Sequence, residues 1–154
     1  MKTLILVFIG ILFQIPVLSQ TFPDPSQTLP EWYRVFTFDD KSTVELNTDY
    51  VMFSTDKTGR VRFRWTYVNP QDLGSENPLK YQSRISEYEF DCLNNRVRLR
   101  NDRLFATDGK LISSEDIDRA DEWRGMDYSN TMKKLNGPAC KLIAFRKREP
   151  ASER

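Results

Sequence analysis

Polar and apolar residues alternate through most of residues 84–100, and this period-two pattern predicts a β-hairpin with one apolar and one charged face. A turn centred on Asn94-Asn95 sets Cys92 opposite Val97, Asp91 opposite Arg98, Phe90 opposite Leu99 and Glu89 opposite Arg100. In that register apolar partners meet and opposite charges meet. A second alternation sends Val61, Phe63, Trp65 and Tyr67 to one side of a strand and Arg62, Arg64 and Thr66 to the other. Runs rich in aromatic and β-branched residues predict strands over 32–38, 43–46, 50–55 and 60–68. They are separated by Asp39-Asp40-Lys41, Asn47-Thr48-Asp49 and a turn at residues 56–59.

Residues 69–80 hold Pro70, Gly74 and Pro78 and read as a surface connection long enough to be mobile. The strand after the Asn94-Asn95 turn continues past residue 101 and reverses at Asp108-Gly109; Leu111-Ile112 then starts a short strand or leads into a helix. Ser113-Ser114 before Glu115 and Asp116 predicts a helical start. A short helix over 129–135 is expected to end at Asn136-Gly137-Pro138, just before Cys140. Successive hairpins followed by helical signals predict an α+β domain: an antiparallel β-sheet of about six strands packed by a short C-terminal helical segment.

The ends of the chain read differently. Lys2, the apolar run 4–13 and Val17-Leu18-Ser19 have the order of a secretory signal peptide, 1–19, cleaved after Ser19. An uncleaved anchor is the alternative, but the run is short for a bilayer and Pro16 interrupts its end. Neither Cys92 nor Cys140 stands near the junction to take a lipid. The expected product is secreted or periplasmic, with no stable membrane span. Residues 20–31, with Pro23, Pro25 and Pro30, read as a disordered lead-in, 32–145 as the single folded domain and 146–154 as a charged, disordered tail. In an oxidising compartment two cysteines have one intramolecular pairing, Cys92–Cys140, with two separate buried thiols as the alternative.

Charge and chemistry narrow the function. The 23 Lys and Arg become 22 when Lys2 leaves with the leader, against 22 Asp and Glu, and a neutral domain does not read as a nucleic-acid binder. The chain has no histidine, which removes His-based nucleophilic pairs and His-based metal sites together. Neither a cofactor nor a metal is expected. Ser54-Thr55-Asp56-Lys57 matches a Ser-x-x-Lys acylase pattern but sits at a strand end and reads as a turn. Glu87, Glu89 and Asp91 form a carboxylate row suited in principle to glycoside hydrolysis, yet the arginines expected opposite them would keep it ionised and occupied. Asp116, Asp118, Asp121 and Glu122 superficially match a calcium loop, but Ala120 and Asp121 fall where an oxygen ligand and a glycine are needed, so a solvated helix face is expected.

Two arginine stripes remain, Arg60, Arg62 and Arg64 on one strand and Arg96, Arg98 and Arg100 on another. Adjoining on one face, they would suit sulfated glycans, anionic headgroups or acidic protein patches; the alternative is a charge-balanced face. Arg60, Arg62, Arg64 and Arg96 have no obvious acidic partner in the sequence and are the candidate binding residues.

The order Trp32-Tyr33-Arg34-Val35, Lys80-Tyr81-Gln82-Ser83-Arg84, Tyr88-Glu89-Phe90-Asp91-Cys92, Glu122-Trp123-Arg124 and a closing Cys140 resembles the surface-adhesin protein E-like family. The resemblance implies an exported bacterial domain with an antiparallel sheet and a C-terminal helix. It also implies a non-enzymatic module whose partner is a protein or other anionic macromolecule, the founding type being an adhesin for host matrix and plasma proteins. The rival expectations are a structural or assembly protein of the bacterial envelope with no host ligand, and a carboxylate-only hydrolase.

Overall fold

The computed structural model describes residues 22–24, 28–55, 57–74, 77–117 and 122–148; the expected leader and residues 149–154 lie outside them. The strands are β1 (Trp32–Thr37), β2 (Thr43–Phe53), β3 (Gly59–Gly74), β4 (Asn77–Asp91), β5 (Arg96–Phe105), β6 (Leu111–Asp116) and β7 (Arg124–Gly125), followed by the helix α1 (Asn130–Arg148). They form one antiparallel sheet in the order β1-β2-β3-β4-β5-β6, with β7 paired to β5. The predicted fold class therefore stands. Its core gathers Val44, Leu46, Val61, Phe63, Phe90 and Val97 from alternate strand positions. Against them α1 sets Met132, Leu135, Ala139, Leu142 and Ile143, one helical stripe. Cys92 is bonded to Cys140, Sγ to Sγ at 2.05 Å, and ties this helix to the β4–β5 loop.

The hairpin register differs from the predicted one. Asp91 pairs with Arg96, Phe90 with Val97 and Glu89 with Arg98, a shift of two residues that opens a four-residue loop. A two-residue Asn-Asn turn of type I′ needs a positive φ at both residues, and here only Asn95 has one, at 52°. Asp91 stabilises the longer loop by accepting from Asn94 N at 3.2 Å and Asn94 Nδ2 at 2.8 Å. Because the shift is even, each side chain keeps its face.

The expected turn at Asn47-Thr48-Asp49 is instead an irregularity inside β2, where the register to β3 shifts between Leu46 and Val51. The buried polar groups there find partners without reversing the chain. Thr48 N donates to Glu31 O at 2.8 Å, Thr48 Oγ1 to Pro30 O at 2.9 Å, and Arg146 Nη2 to Thr48 O at 2.9 Å. In the supposed connection 69–80, residues 69–74 and 77–80 are also strand. β2 leaves β3 at Thr66 and β5 leaves β4 at Ser83, so residues 67–74 and 77–82 run on beyond both neighbours as a two-stranded ribbon. Pro70 falls in its unpaired stretch between Thr66 and Gln71, where no ladder donor is lost. Tyr67 and Tyr81 meet edge to face at 5.6 Å, and Lys80 Nζ reaches Asp72 at 3.2 Å.

Two helical expectations also change. Ser113 to Asp116 belong to β6, because backbone pairing to β5 outweighs a local start signal. The reversal before β6 falls where predicted, Gly109 taking φ 81°. The last helix begins as expected, with Ser129 Oγ accepting from Met132 N at 3.1 Å, but does not end at Pro138. Its buried stripe continues to Leu142 and Ile143 and the disulfide holds Cys140, which together outweigh the roughly 3 kcal/mol a proline costs inside a helix. The helix thus runs through residues 146–148.

Candidate functional site

The sheet face opposite α1 is built around the carboxylates of β4. Glu87, Glu89 and Asp91 alternate with the core residues Tyr88 and Phe90, so strand periodicity alone puts all three on this face. They are only 7%, 1% and 2% exposed. Buried carboxylates need partners, and both neighbouring strands supply them. From β5, Arg98 Nε donates to Glu89 Oε2 at 2.9 Å and Arg96 Nε to Asp91 Oδ2 at 3.0 Å. From β3, Arg62 Nε donates to Glu87 Oε2 at 3.1 Å, and Arg60 Nη1 lies 3.6 Å from Glu87 Oε1. Thr58 and Tyr50 add hydroxyl donors to Glu89 and Glu87 at 2.9 and 2.8 Å.

The electrostatic balance follows. Burial pushes the Glu89 carboxyl up, but hydrogen bonds from Thr58 and Arg98 and the charge of Arg98 bring it below the ordinary carboxylate value. Burial acts on Asp91 in the same way and is likewise outweighed by hydrogen bonds from Asn94 and Arg96. Tyr50 is raised, first by burial and then by its bond to Glu87, so it stays a donor. Glu89 and Asp91 are thus held charged, and all three carboxylates of the row are occupied by donors. A general acid for glycoside hydrolysis needs the opposite, a carboxyl raised toward neutrality.

All four candidate arginines lie on this face, but the premise that they lack acidic partners does not hold. Arg64 Nη2 lies 2.7 Å from Glu45 on β2, and Arg60, Arg62 and Arg96 use the β4 row. The partners of Arg60, Arg62 and Arg64 sit on adjacent strands far away in sequence, while Asp91 meets Arg96 across the β4–β5 loop. The structure also shows aromatic supports that sequence reasoning missed. Arg62 stacks on Tyr50 at 3.6 Å, Arg64 on Trp32 at 4.4 Å, and Arg96 and Arg98 on Trp123 at 4.9 and 4.5 Å from the ring centroids. A guanidinium carries five N–H donors in a fixed plane, so one aimed at a carboxylate and resting on a ring still presents donors outward in a set orientation. Their side chains remain 24% to 45% exposed.

Elsewhere, a cleft of about 320 Å³ lies between β4, β5 and the segment around β7, lined by Arg84, Tyr88, Leu99, Arg124 and Tyr128. Arg84 there is bound to Asp102 at 2.7 Å. Ser54, Thr55 and Lys57 form a turn in which Lys57 N donates to Thr55 Oγ1 at 3.1 Å. Residues 118–121 of the acidic segment lie outside the described residues. Among the described residues no cluster of three or more metal-ligating side chains occurs, and no helix is long and apolar enough to cross a membrane.

Residues 32–141 match the family model described as surface-adhesin protein E. The chain belongs to the surface-adhesin protein E family. Two solved structures of Haemophilus influenzae protein E share its fold. One aligns with TM-score 0.53 at 6% identity, covering 79% of this chain and 96% of that one; the other aligns with TM-score 0.53 at 8% identity, covering 84% and 96%. No curated protein sequence matches. Family and fold together make this an adhesin-like binding protein.

Proposed function

We propose that the chain is an exported, non-enzymatic binding module that docks a protein or other anionic macromolecule against its arginine–aromatic face. Arg60, Arg62, Arg64 and Arg96 are the contact residues in this reading, and the ribbon formed by residues 67–74 and 77–82 extends β3 and β4 beyond them. The observation that carries it is the preorganisation of the guanidinium groups. Each is fixed by a carboxylate on one side, and Arg62, Arg64 and Arg96 also rest on an aromatic ring, so little side-chain freedom is lost on binding. Exposed Val68 and Leu79 on the ribbon supply apolar contact next to the charged surface. Export, cleavage after Ser19 and release into the periplasm or medium belong to this proposal and accord with an adhesin family.

The test is binding to immobilised extracellular-matrix protein and to envelope extract, with folding followed by circular dichroism. Replacing Arg60, Arg62, Arg64 and Arg96 with serine should abolish capture and its salt dependence. Since these arginines neutralise buried carboxylates, the matching set of lysine replacements provides the second arm: charge is kept, the planar fork is lost, and capture should weaken several-fold. Unchanged capture by a folded serine or lysine variant would refute the surface assignment. Capture from envelope extract alone would favour the assembly role over host adhesion.

A further inference from the structure

Every charged side chain of α1 is cationic: Lys133, Lys134, Lys141, Arg146, Lys147 and Arg148. The chain as a whole is almost neutral, with 23 basic and 22 acidic residues, so this helix is a local segregation of charge. Its buried stripe of Met132, Leu135, Ala139, Leu142 and Ile143 faces the sheet. At 3.6 residues per turn, Lys134, Lys141 and Arg148 fall on the opposite side. Each follows the last by seven residues, so they form a nearly straight line with steps of about 10 Å. Lys133 stands beside its first member.

These four residues are exposed. Lys141 Nζ donates to Phe22 O at 2.9 Å, Lys134 Nζ lies 4.9 Å from the Phe36 ring centroid, and Arg148 Nε donates to Ala144 O at 3.1 Å. Among the described residues none of the four is paired with a carboxylate. That contrasts with the arginines of the sheet face, whose charges are balanced in place.

The chemistry of the occupant follows from what accompanies the cations. The other exposed positions between them are Gly137, Ala144 and Lys147, none of them large and apolar, while Phe145 is half-buried with Arg146 6.0 Å from its ring centroid. A helix that settles into a bilayer surface places Trp, Phe or Leu beside its lysines, and here the apolar side is taken by the sheet. A straight row of ammonium and guanidinium charges fits an extended polymer that carries anions along its length.

We propose that the outward face of α1 is a docking surface for a linear sulfated polysaccharide, with sulfate groups taking Lys133, Lys134, Lys141 and Arg148. This goes beyond the binding role above. It adds a second site, on the other side of the sheet from Arg60, Arg62, Arg64 and Arg96, and does not depend on the first.

The experiment titrates the intact chain with size-defined heparin, with hyaluronan, which carries carboxylates but no sulfate, and with phosphatidylglycerol vesicles. Heparin should bind with an affinity that falls steeply with salt. The fourfold variant Lys133→Gln, Lys134→Gln, Lys141→Gln, Arg148→Gln should bind at least about tenfold more weakly with a shallower salt slope. Arg103→Gln with Lys110→Gln, which removes two exposed cations away from α1, should leave heparin affinity within about twofold, separating the α1 row from a general loss of charge. If the fourfold variant unfolds earlier, Lys133→Gln with Arg148→Gln leaves the Phe22 and Phe36 contacts intact and should still lose about threefold. Equal heparin affinity in a folded variant, equal affinity for hyaluronan, or binding to the vesicles but not to heparin would each overturn the proposal.

Discussion

Arg98 places its Nε 2.9 Å from Glu89 Oε2, across the β4–β5 ladder, and the carboxylate it holds is only 1% exposed. Glu89 also accepts from Thr58 Oγ1 at 2.9 Å, while Arg100 Nε lies 3.7 Å away. One buried anion thus organises cations and a hydroxyl drawn from outside its own strand. Breaking such a cluster from one side leaves charge buried without compensation. Glu89→Gln, which preserves shape but removes the charge, should therefore lower unfolding free energy by about 3–5 kcal/mol. Urea denaturation followed by tryptophan fluorescence checks this, and an unchanged midpoint would show the cluster to be energetically idle.

The same carboxylates set an acid limit. Glu89 and Asp91 are both held below their ordinary values in the folded protein, so the unfolded chain takes up protons first as pH falls. Their stabilising contribution is complete above the unfolded carboxylate range near pH 4–4.5 and is lost as pH drops through the lower folded values. The denaturation midpoint should be flat from about pH 7 to 5.5, then fall continuously toward pH 3. In Glu89→Gln the acid-side slope should be shallower, since one of the two depressed groups is gone.

Strand periodicity made the face of each residue legible in advance, and so the apolar core and the charged side. Register was less legible. The Asn94-Asn95 pair pointed to a tight turn, while the capping of Asn94 by Asp91 and the single positive φ at Asn95 favour a longer loop. The partners of Arg60, Arg62 and Arg64 were hidden because they depend on which strands adjoin: Glu87 and Glu89 through the β3–β4 register, and Glu45 through β2–β3. Trp123 was equally obscure, since only the pairing of β7 with β5 brings it over Arg96 and Arg98. The longer helix did leave a signal. The spacing of Met132, Leu135, Ala139, Leu142 and Ile143 runs straight through Pro138, but the local stop signal was read over it.

Cys92 and Cys140 close a loop with a sequence separation of 48. In the chain-entropy account a crosslink of that span stabilises the fold by about 4 kcal/mol. Cys92→Ala with Cys140→Ala should reduce stability by about that amount while α1 still folds, because its buried stripe is independent of the bridge. Circular dichroism at low denaturant should stay native and the urea midpoint should move down. Both thiols being alkylatable in natively harvested protein would contradict the bridge itself.

Gly59 determines how closely the C-terminal half of α1 approaches β3. A Cβ built on it would lie 2.8 Å from Ile143 Cγ2 and 2.9 Å from Cγ1, closer than packed carbons tolerate. The contact involves a β-branched side chain that is itself buried, so the ring of atoms around it has little room to yield. Gly59→Ala should cost about 1–3 kcal/mol through overpacking, although its backbone φ is not of the glycine-only kind. If the clash is the cause, shortening the opposing side chain must relieve it. Gly59→Ala combined with Ile143→Ala, which removes both Cγ atoms, should be more stable than the sum of the single changes predicts, with a favourable coupling of about 0.5–2 kcal/mol in a double-mutant cycle. Strict additivity would mean that the helix moves aside freely and that this contact does not fix its height above the sheet.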